Sequence, residues 1–165
     1  MRERQKVKDN QMSIDCHSSL VVWDGRSKGC FANIRRSLEL QKPVSIYLAS
    51  ENIFIQNTNI NEAYIENVYR TSVGYSASEA LEQLKKRSFD GFPSTRGFNK
   101  FLLENDVLQK ENGVYFPNEK YRKYFKTNIH RGKKTGVNFK IDFFDWFEGA
   151  FPNSKKPETV ELEFE

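Results

Sequence analysis

The stretch that decides the fold is LVVWDGRSKG, residues 20–29. Its first four residues are apolar and rich in β-branched side chains, a pattern that predicts a buried strand. A glycine-containing loop follows, Asp24–Gly29, and apolar residues then recur at helical spacing, at Phe31, Ile34 and Leu38. A strand, such a loop and the start of a helix together predict a phosphate-binding site, because the first N–H groups of a helix have no partner within it.

The loop carries side chains that suit an anion or a nucleotide. Ser27, Lys28 and Gly29 supply a hydroxyl, a cation and an unobstructed backbone at the helix start. Asp24 ends the strand, where its carboxylate can accept hydrogen bonds from a ribose or a base. We therefore expect a nucleotide-binding site formed by Asp24, Gly25, Ser27, Lys28 and Gly29. The alternative is structural: Asp24-Gly25 is then only a turn, and Ser27 only a helix cap.

The segment around this loop has the pattern of an α/β unit. A polar helix is expected over Arg2–Met12, and the helix after the loop from about Gly29 to Leu40, before Gln41-Lys42-Pro43 ends it. Val44–Leu48 is a second apolar strand. A strand, a helix and a second strand in this order predict a βαβ unit with a parallel pair of strands.

Four short motifs follow one another over about residues 1–56: Asp24-Gly25, Ser27-Lys28-Gly29, Asn33-Ile34 and Lys42-Pro43-Val44. In this order they resemble the second half of a SLOG-type Rossmannoid domain, and they are similar to nucleoside 2-deoxyribosyltransferases. The resemblance implies a partial Rossmannoid unit that binds a nucleotide or a nucleotide sugar at the loop. The glycine-containing turn with which such domains open would have to precede Met1.

The same resemblance bears on catalysis. Enzymes of this superfamily carry a glutamate one helical turn after a Gly-Thr step. Here Cys30 stands at the threonine position, and Asn33 stands where the carboxylate would fall. An amide is neither the nucleophile nor the base that cleavage of a glycosidic bond needs. We therefore expect no catalytic residue in this unit.

The composition changes after residue 57, and it divides the chain into an α/β unit, a linker, a basic domain and an acidic tail, at 1–57, 58–75, 76–151 and 152–165. In the third segment Ser76 and Glu79 form a capping-box signal for one helix, and Ser94 caps a second helix, Thr95–Glu104. Asn112-Gly113 between two apolar runs predicts a β-hairpin, since both residues tolerate a positive φ. The predicted fold class is therefore α/β, the partial Rossmannoid unit, followed by a small α+β winged-helix-like domain.

This third segment is basic, which indicates nucleic acid as a partner. In a winged helix the second helix enters the major groove, so its polar face supplies the candidate base contacts: Thr95, Arg96, Asn99 and Lys100. The candidate phosphate contacts are Lys110, Lys120, Arg122, Lys123, Arg131, Lys133 and Lys134. The alternative is that these lysines form a solvated surface, and that the neighbouring Tyr121, Tyr124 and Phe125 belong to the core.

Three loose motifs mark the same segment: Phe98-Asn99-Lys100-Phe101-Leu102, Gly113-x-Tyr115 and Lys134-Thr135-Gly136. Over roughly residues 76–150 they resemble the C-terminal domains of phage antirepressors. This resemblance implies a module that binds DNA or protein without catalysis.

Other classes of protein are disfavoured by composition. No apolar run approaches the roughly 18 to 20 residues that a membrane helix needs, and the polar N-terminus is not a signal peptide. Cys16 and Cys30 are too few for a disulfide scaffold, and no Cys/His cluster has zinc spacing. The net charge of +4 is compatible with nucleic acid. We expect a cytoplasmic protein with no metal, no cofactor and no membrane partner.

Together these features predict a phage-related, regulatory nucleic-acid-binding protein with a degenerate nucleotide-binding loop. Its binding to DNA is expected to be either constitutive or altered by a nucleotide sensed at residues 24–29. Two alternatives stay open. One is an enzyme, a nucleoside or nucleotide N-glycosidase or deoxyribosyltransferase-like protein. The other is a protein-interaction module without catalysis.

Overall fold

Residues 2–56 and 60–152 are described by a computed structural model. The protein is mixed α/β, with about 49% helix and small sheets. It divides into two compact units, Met1–Val73 and Gly74–Glu165. Among the helices of the described residues, none combines the length and the apolar character that a membrane crossing requires.

The first unit is a three-stranded sheet with three helices. Its elements are α1 (Arg2–Asp15), β1 (Ser19–Trp23), α2 (Lys28–Glu39), β2 (Val44–Leu48), β3 (Ile53–Ile55) and α3 (Glu62–Val73). The strand order is β1-β2-β3, and β1 pairs parallel to β2, as the βαβ pattern predicts. β3 is antiparallel to β2. The Lys42 ammonium donates to the carbonyl oxygens of Ser13, Ile14 and Cys16, and so caps the C-terminal end of α1.

One face of this sheet forms the core of the first unit. Trp23, Ile46 and Leu48 are buried there, and the ring of Phe31 on α2 stacks on that of Tyr69 on α3 with centroids 4.3 Å apart. The alternate residues of the strands project from the other face, and several of them are exposed to solvent. Its exposed apolar side chains are Leu20, Val22 and Phe54.

The linker expected at residues 58–75 is not what the structure contains. Residues Glu62–Val73 form the helix α3, and its buried Ile65 and Tyr69 belong to the core of the first unit. The sequence indicates a helical piece over Glu62–Tyr69 within this linker, but it does not indicate that the helix continues to Val73 and packs into a core. The boundary between the two units therefore falls at Val73–Gly74.

The second unit contains three helices, two hairpins and a 3₁₀ helix. Its elements are α4 (Ala77–Lys86), α5 (Thr95–Glu104), β4 (Leu108–Glu111), β5 (Val114–Pro117), the 3₁₀ helix (Glu119–Tyr124), β6 (Phe125–His130), β7 (Lys133–Phe139) and α6 (Asp142–Ala150). β4 pairs with β5, and β6 pairs with β7, both antiparallel. The core is rich in phenylalanine, with Phe98 and Phe147 fully buried and their ring centroids 6.0 Å apart.

The predicted elements of this unit are present, and one hairpin is added to them. Ser76 and Glu79 form the capping box, and Asn112-Gly113 makes the first hairpin turn with φ of +49° and +82°. The basic stretch after it folds into the β6–β7 hairpin, whereas the sequence indicates only a strand over residues 137–141. Of the expected acidic tail, 152–165, only Pro152 lies within the described residues.

Candidate functional site

The Asp24 carboxylate closes the loop that follows β1. Its Oδ1 accepts hydrogen bonds from the backbone N–H of Arg26 at 2.9 Å and of Ser27 at 2.7 Å. The Ser27 N–H, and after it the Arg26 N–H, hold the pKa of the Asp24 carboxyl below its ordinary value. The carboxylate is therefore ionised at neutral pH and uses two of the N–H groups that the sequence offers to a phosphate.

Ser27 and Gly25 complete this local structure. The Ser27 hydroxyl accepts from the backbone N–H of Cys30 at 3.5 Å and caps α2, while its carbonyl accepts from the Trp23 indole at 3.2 Å. Gly25 is buried with φ of +76°, and a Cβ there would lie 3.0 Å from the Ser72 hydroxyl oxygen. The loop thus contains the turn at Asp24-Gly25 and the helix cap at Ser27 that the structural alternative predicts.

The N–H groups of Lys28 and Gly29 lie in the first turn of α2. Within the described residues, the N–H groups of Lys28 and Gly29 have no hydrogen-bond partner, and a Cβ on Gly29 would meet no atom within 4 Å. An anion bound there would share the loop with the ionised Asp24 carboxylate, which opposes binding. The nucleotide site expected at residues 24–29 stays a prediction. In this loop, the N–H groups of Lys28 and Gly29 could donate to such a ligand.

A cavity of about 260 Å³ lies elsewhere in the first unit, and no residue of the loop lines it. Its walls come from α1, β1 and α2: Asp9, Met12, Ser13, Cys16, Ser18, Ser19, Leu20, Val21, Asn33 and Ser37. The Asn33 side-chain oxygen accepts from the Arg36 guanidinium at 3.0 Å. Asn33 is therefore held as a neutral hydrogen-bond acceptor.

Two of the four candidate base contacts in the second unit, Arg96 and Lys100, lie on the outer side of α5. Phe98 and Leu102 are buried, so the residues opposite them face away from the core. Arg96 and Lys100 are exposed there, whereas Thr95 and Asn99 are half-buried. Lys100 pairs with Glu104 on the same face, at 3.5 Å.

The candidate phosphate contacts belong to a longer stretch than the sequence motifs suggested. Residues 120–140 contain no Asp or Glu and eight Lys or Arg: Lys120, Arg122, Lys123, Lys126, Arg131, Lys133, Lys134 and Lys140. Lys126 and Lys140, both half-buried, lie in this stretch but are not among the candidate phosphate contacts predicted above. The signal that identifies them is the absence of carboxylates between Glu119 and Asp142.

The 3₁₀ helix presents three of these cations. Lys120 and Lys123 are exposed, and their ammonium groups lie 5.2 Å and 4.8 Å from the ring centroids of Tyr121 and Tyr124. Arg122 pairs with Glu119 at 3.0 Å, with both side chains exposed. Tyr121 and Tyr124 thus pack against the core of the second unit, and their rings also make cation–π contacts with the two lysines.

The β6–β7 hairpin presents three more. Arg131 and Lys133 are exposed at its turn. Lys134 lies 6.0 Å from the ring centroid of Phe116 on β5, and it lines a cavity of about 130 Å³ together with Arg122. The fold therefore brings Arg122 and Lys134 to one place, although twelve positions separate them. Lys110 lies apart from them on β4, over Tyr115.

Metal and disulfide chemistry find no support in these units. Across residues 2–56 and 60–152, no three His, Cys, Asp or Glu side chains are placed to hold a metal ion. Cys16 and Cys30 are both free thiols.

No protein-family model, no curated protein and no solved structure matches this chain. The resemblances to the Rossmannoid and antirepressor domains therefore rest on their short sequence motifs alone.

Proposed function

We propose that the second unit binds nucleic acid, and that the residues 120–140 are its main contact with the phosphate backbone. The observation that carries this proposal is the run of eight cationic side chains with no carboxylate among them. Of these, Lys120, Lys123, Arg131, Lys133 and Lys134 are exposed and pair with no carboxylate of the described residues. Such cations neutralise phosphates and release the counterions bound to them, which drives association at low salt.

The outer side of α5 supplies the second part of the proposal. In a winged-helix arrangement Arg96, Asn99 and Lys100 would reach base edges in the major groove, where arginine suits guanine and asparagine suits adenine. Arg96 is exposed and has no ion pair within the described residues, so its guanidinium is available to a ligand.

The geometry supports the enzyme alternative less well. Cleavage of a glycosidic bond needs a carboxylate as nucleophile or base. The residue at the corresponding position is Asn33, and its amide oxygen is engaged by Arg36. Release of a free base from a nucleoside by the purified protein would contradict this assignment.

The test is fluorescence anisotropy of a labelled duplex DNA, titrated at low salt with the full chain. We expect Lys133→Ala with Lys134→Ala to weaken binding on unrelated sequences alike, because phosphate contacts carry no sequence information. The matched control is Lys85→Ala with Lys86→Ala, which removes the same charge from exposed positions on α4. We expect this control to bind as the wild type does.

Arg96→Ala tests the role of α5 separately. We expect it to reduce the preference among DNA sequences more than it reduces binding to a random duplex, because base contacts discriminate and phosphate contacts do not. Absence of binding at low salt would contradict the proposal and favour a protein-interaction module.

A further inference from the structure

The tip of the β6–β7 hairpin combines an apolar side chain with cations. Ile129 is 66% exposed, and it lies directly opposite Lys134 in the ladder. His130, Arg131 and Lys133 around it are exposed as well. The tip therefore presents one large hydrophobic group surrounded by groups that attract phosphate.

A β-bulge sets the direction of this isoleucine. The register shifts between Asn128 and Ile129, so that Asn128 pairs with Gly136 while Ile129 pairs with Lys134. Thr135 is the extra residue, and its hydroxyl donates to the Asn128 carbonyl at 3.3 Å. Bulges of this kind re-aim side chains next to functional sites.

The turn itself is built with an unfavourable residue. Arg131 and Gly132 have φ of +49° and +76°, which makes a type I′ turn. The β4–β5 hairpin of the same chain makes this turn with Asn112-Gly113, the pair that suits it best. Arginine has no such preference for the left-handed region, so the turn itself does not require an arginine at this position.

We infer that the β6–β7 hairpin is an arm that enters the minor groove of duplex DNA, where Arg131 and Lys133 contact the groove and Ile129 inserts between two base pairs. Apolar wedges flanked by cations bend DNA in this way, by about 20–90°. This inference rests on the proposed nucleic-acid binding and specifies its ligand, B-form DNA, and its deformation. The minor groove of A-form RNA is wide and shallow, so we do not expect the hairpin to insert Ile129 into duplex RNA.

The test is the transfer efficiency between two fluorophores at the ends of a duplex of about 25 base pairs with a central TA step, a step that kinks easily. We expect the wild-type full chain at saturation to raise the efficiency, because bending shortens the distance between the ends. Ile129→Thr keeps a β-branched residue in the strand. We expect it to bind within a few-fold of the wild type and to leave the efficiency at the free-duplex value.

Two further variants guard against effects on folding. Ile129→Val shortens the wedge by one methylene, and we expect an intermediate efficiency from it. Leu20→Thr changes a side chain that is 65% exposed on the first unit, and we expect it to bend DNA as the wild type does.

Each remaining outcome overturns a defined part of the account. DNA binding without a change in efficiency, or bending that Ile129→Thr retains, would overturn the wedge and leave the proposed function standing. Equal bending of a duplex RNA would overturn the minor-groove assignment. Absence of DNA binding at low salt would overturn the inference and the proposed function together.

Discussion

The Asp24 carboxylate lies 2.7 Å from the backbone nitrogen of Ser27, across the loop that joins β1 to α2. The same oxygen also accepts from the Arg26 N–H. The N–H groups of Arg26 and Ser27 therefore already bind an anionic group, the carboxylate of Asp24. An external phosphate would compete with it at the start of α2.

Asp24→Ala is expected to lower the free energy of unfolding of the first unit by about 1 kcal/mol, because it removes the acceptor of the two hydrogen bonds that close the loop before α2. Because the folded-state pKa of Asp24 is lowered, its stabilising effect is complete above the unfolded value of 3.8 and is lost as the pH falls through the folded pKa. Urea unfolding at pH 7 and near pH 3 measures this difference. Glu51→Ala removes an exposed carboxylate of the same unit and is expected to change the stability little. An equal loss of stability in this variant would contradict the assignment.

Gly25→Ala and Gly29→Ala are expected to have opposite effects, although both change a glycine of the same loop. Gly25 has a positive φ and faces Ser72, so alanine is expected to destabilise the unit by about 1–2 kcal/mol or more. Gly29 lies in the first turn of α2 with open space around it, so alanine is expected to stabilise it by roughly 0.5–1 kcal/mol. Thermal melting of the two variants measures whether their stabilities change in opposite directions. Destabilisation by both would show that the loop is not formed as described.

Arg87 joins α4 to α6 through two carboxylates. Its guanidinium lies 2.8 Å from both Asp145 and Glu148, and it stands 5.2 Å from the Phe144 ring centroid. Arg87→Ala is expected to lower the free energy of unfolding by about 1–2 kcal/mol, because it removes an ion-pair network and a cation–π interaction together.

The control for this prediction is Lys100→Ala. Lys100 pairs with Glu104 alone, and the two side chains are 74% and 59% exposed. An exposed pair of this kind contributes little, so we expect a change of no more than about 0.5 kcal/mol. Equal destabilisation of the two variants, measured by urea unfolding, would mean that Arg87 does not join the two helices.

Arg131→Asn is expected to stabilise the second unit and weaken DNA binding at the same time. Asparagine suits the left-handed backbone that Arg131 adopts, which is worth about 1 kcal/mol. The same change removes a cation from the hairpin tip. A higher melting temperature with unchanged affinity for DNA would show that the arginine has no role in binding.

Local signals explain which elements were predictable. The helix after the Asp24 loop was predictable because Phe31, Ile34 and Leu38 recur at helical spacing. The first hairpin was predictable because both residues of Asn112-Gly113 tolerate a positive φ. The β6–β7 hairpin was missed because Arg131-Gly132 is a weak turn signal, and because its strands mix polar and apolar residues without clean alternation. The bulge at Thr135, opposite Asn128 and Ile129, breaks that alternation further.

The candidate site was predictable in part, for a physical reason. Charge is a property of composition, so the cations around Lys133 were visible in the sequence. Which N–H groups Asp24 accepts from, and which side chains face each other across β6 and β7, depends on rotamers and register. Those are fixed only when the loop and the hairpin have formed.

The salt dependence of DNA affinity tests the central claim most directly. For the wild type, the logarithm of the association constant is expected to fall linearly with the logarithm of the salt concentration. Lys133→Ala with Lys134→Ala is expected to reduce the slope by about 2, close to one unit for each phosphate that the variant no longer neutralises, while Lys85→Ala with Lys86→Ala leaves it unchanged. Equal slopes for the two double variants, or no binding at low salt, would contradict the assignment of residues 120–140 as the nucleic-acid interface.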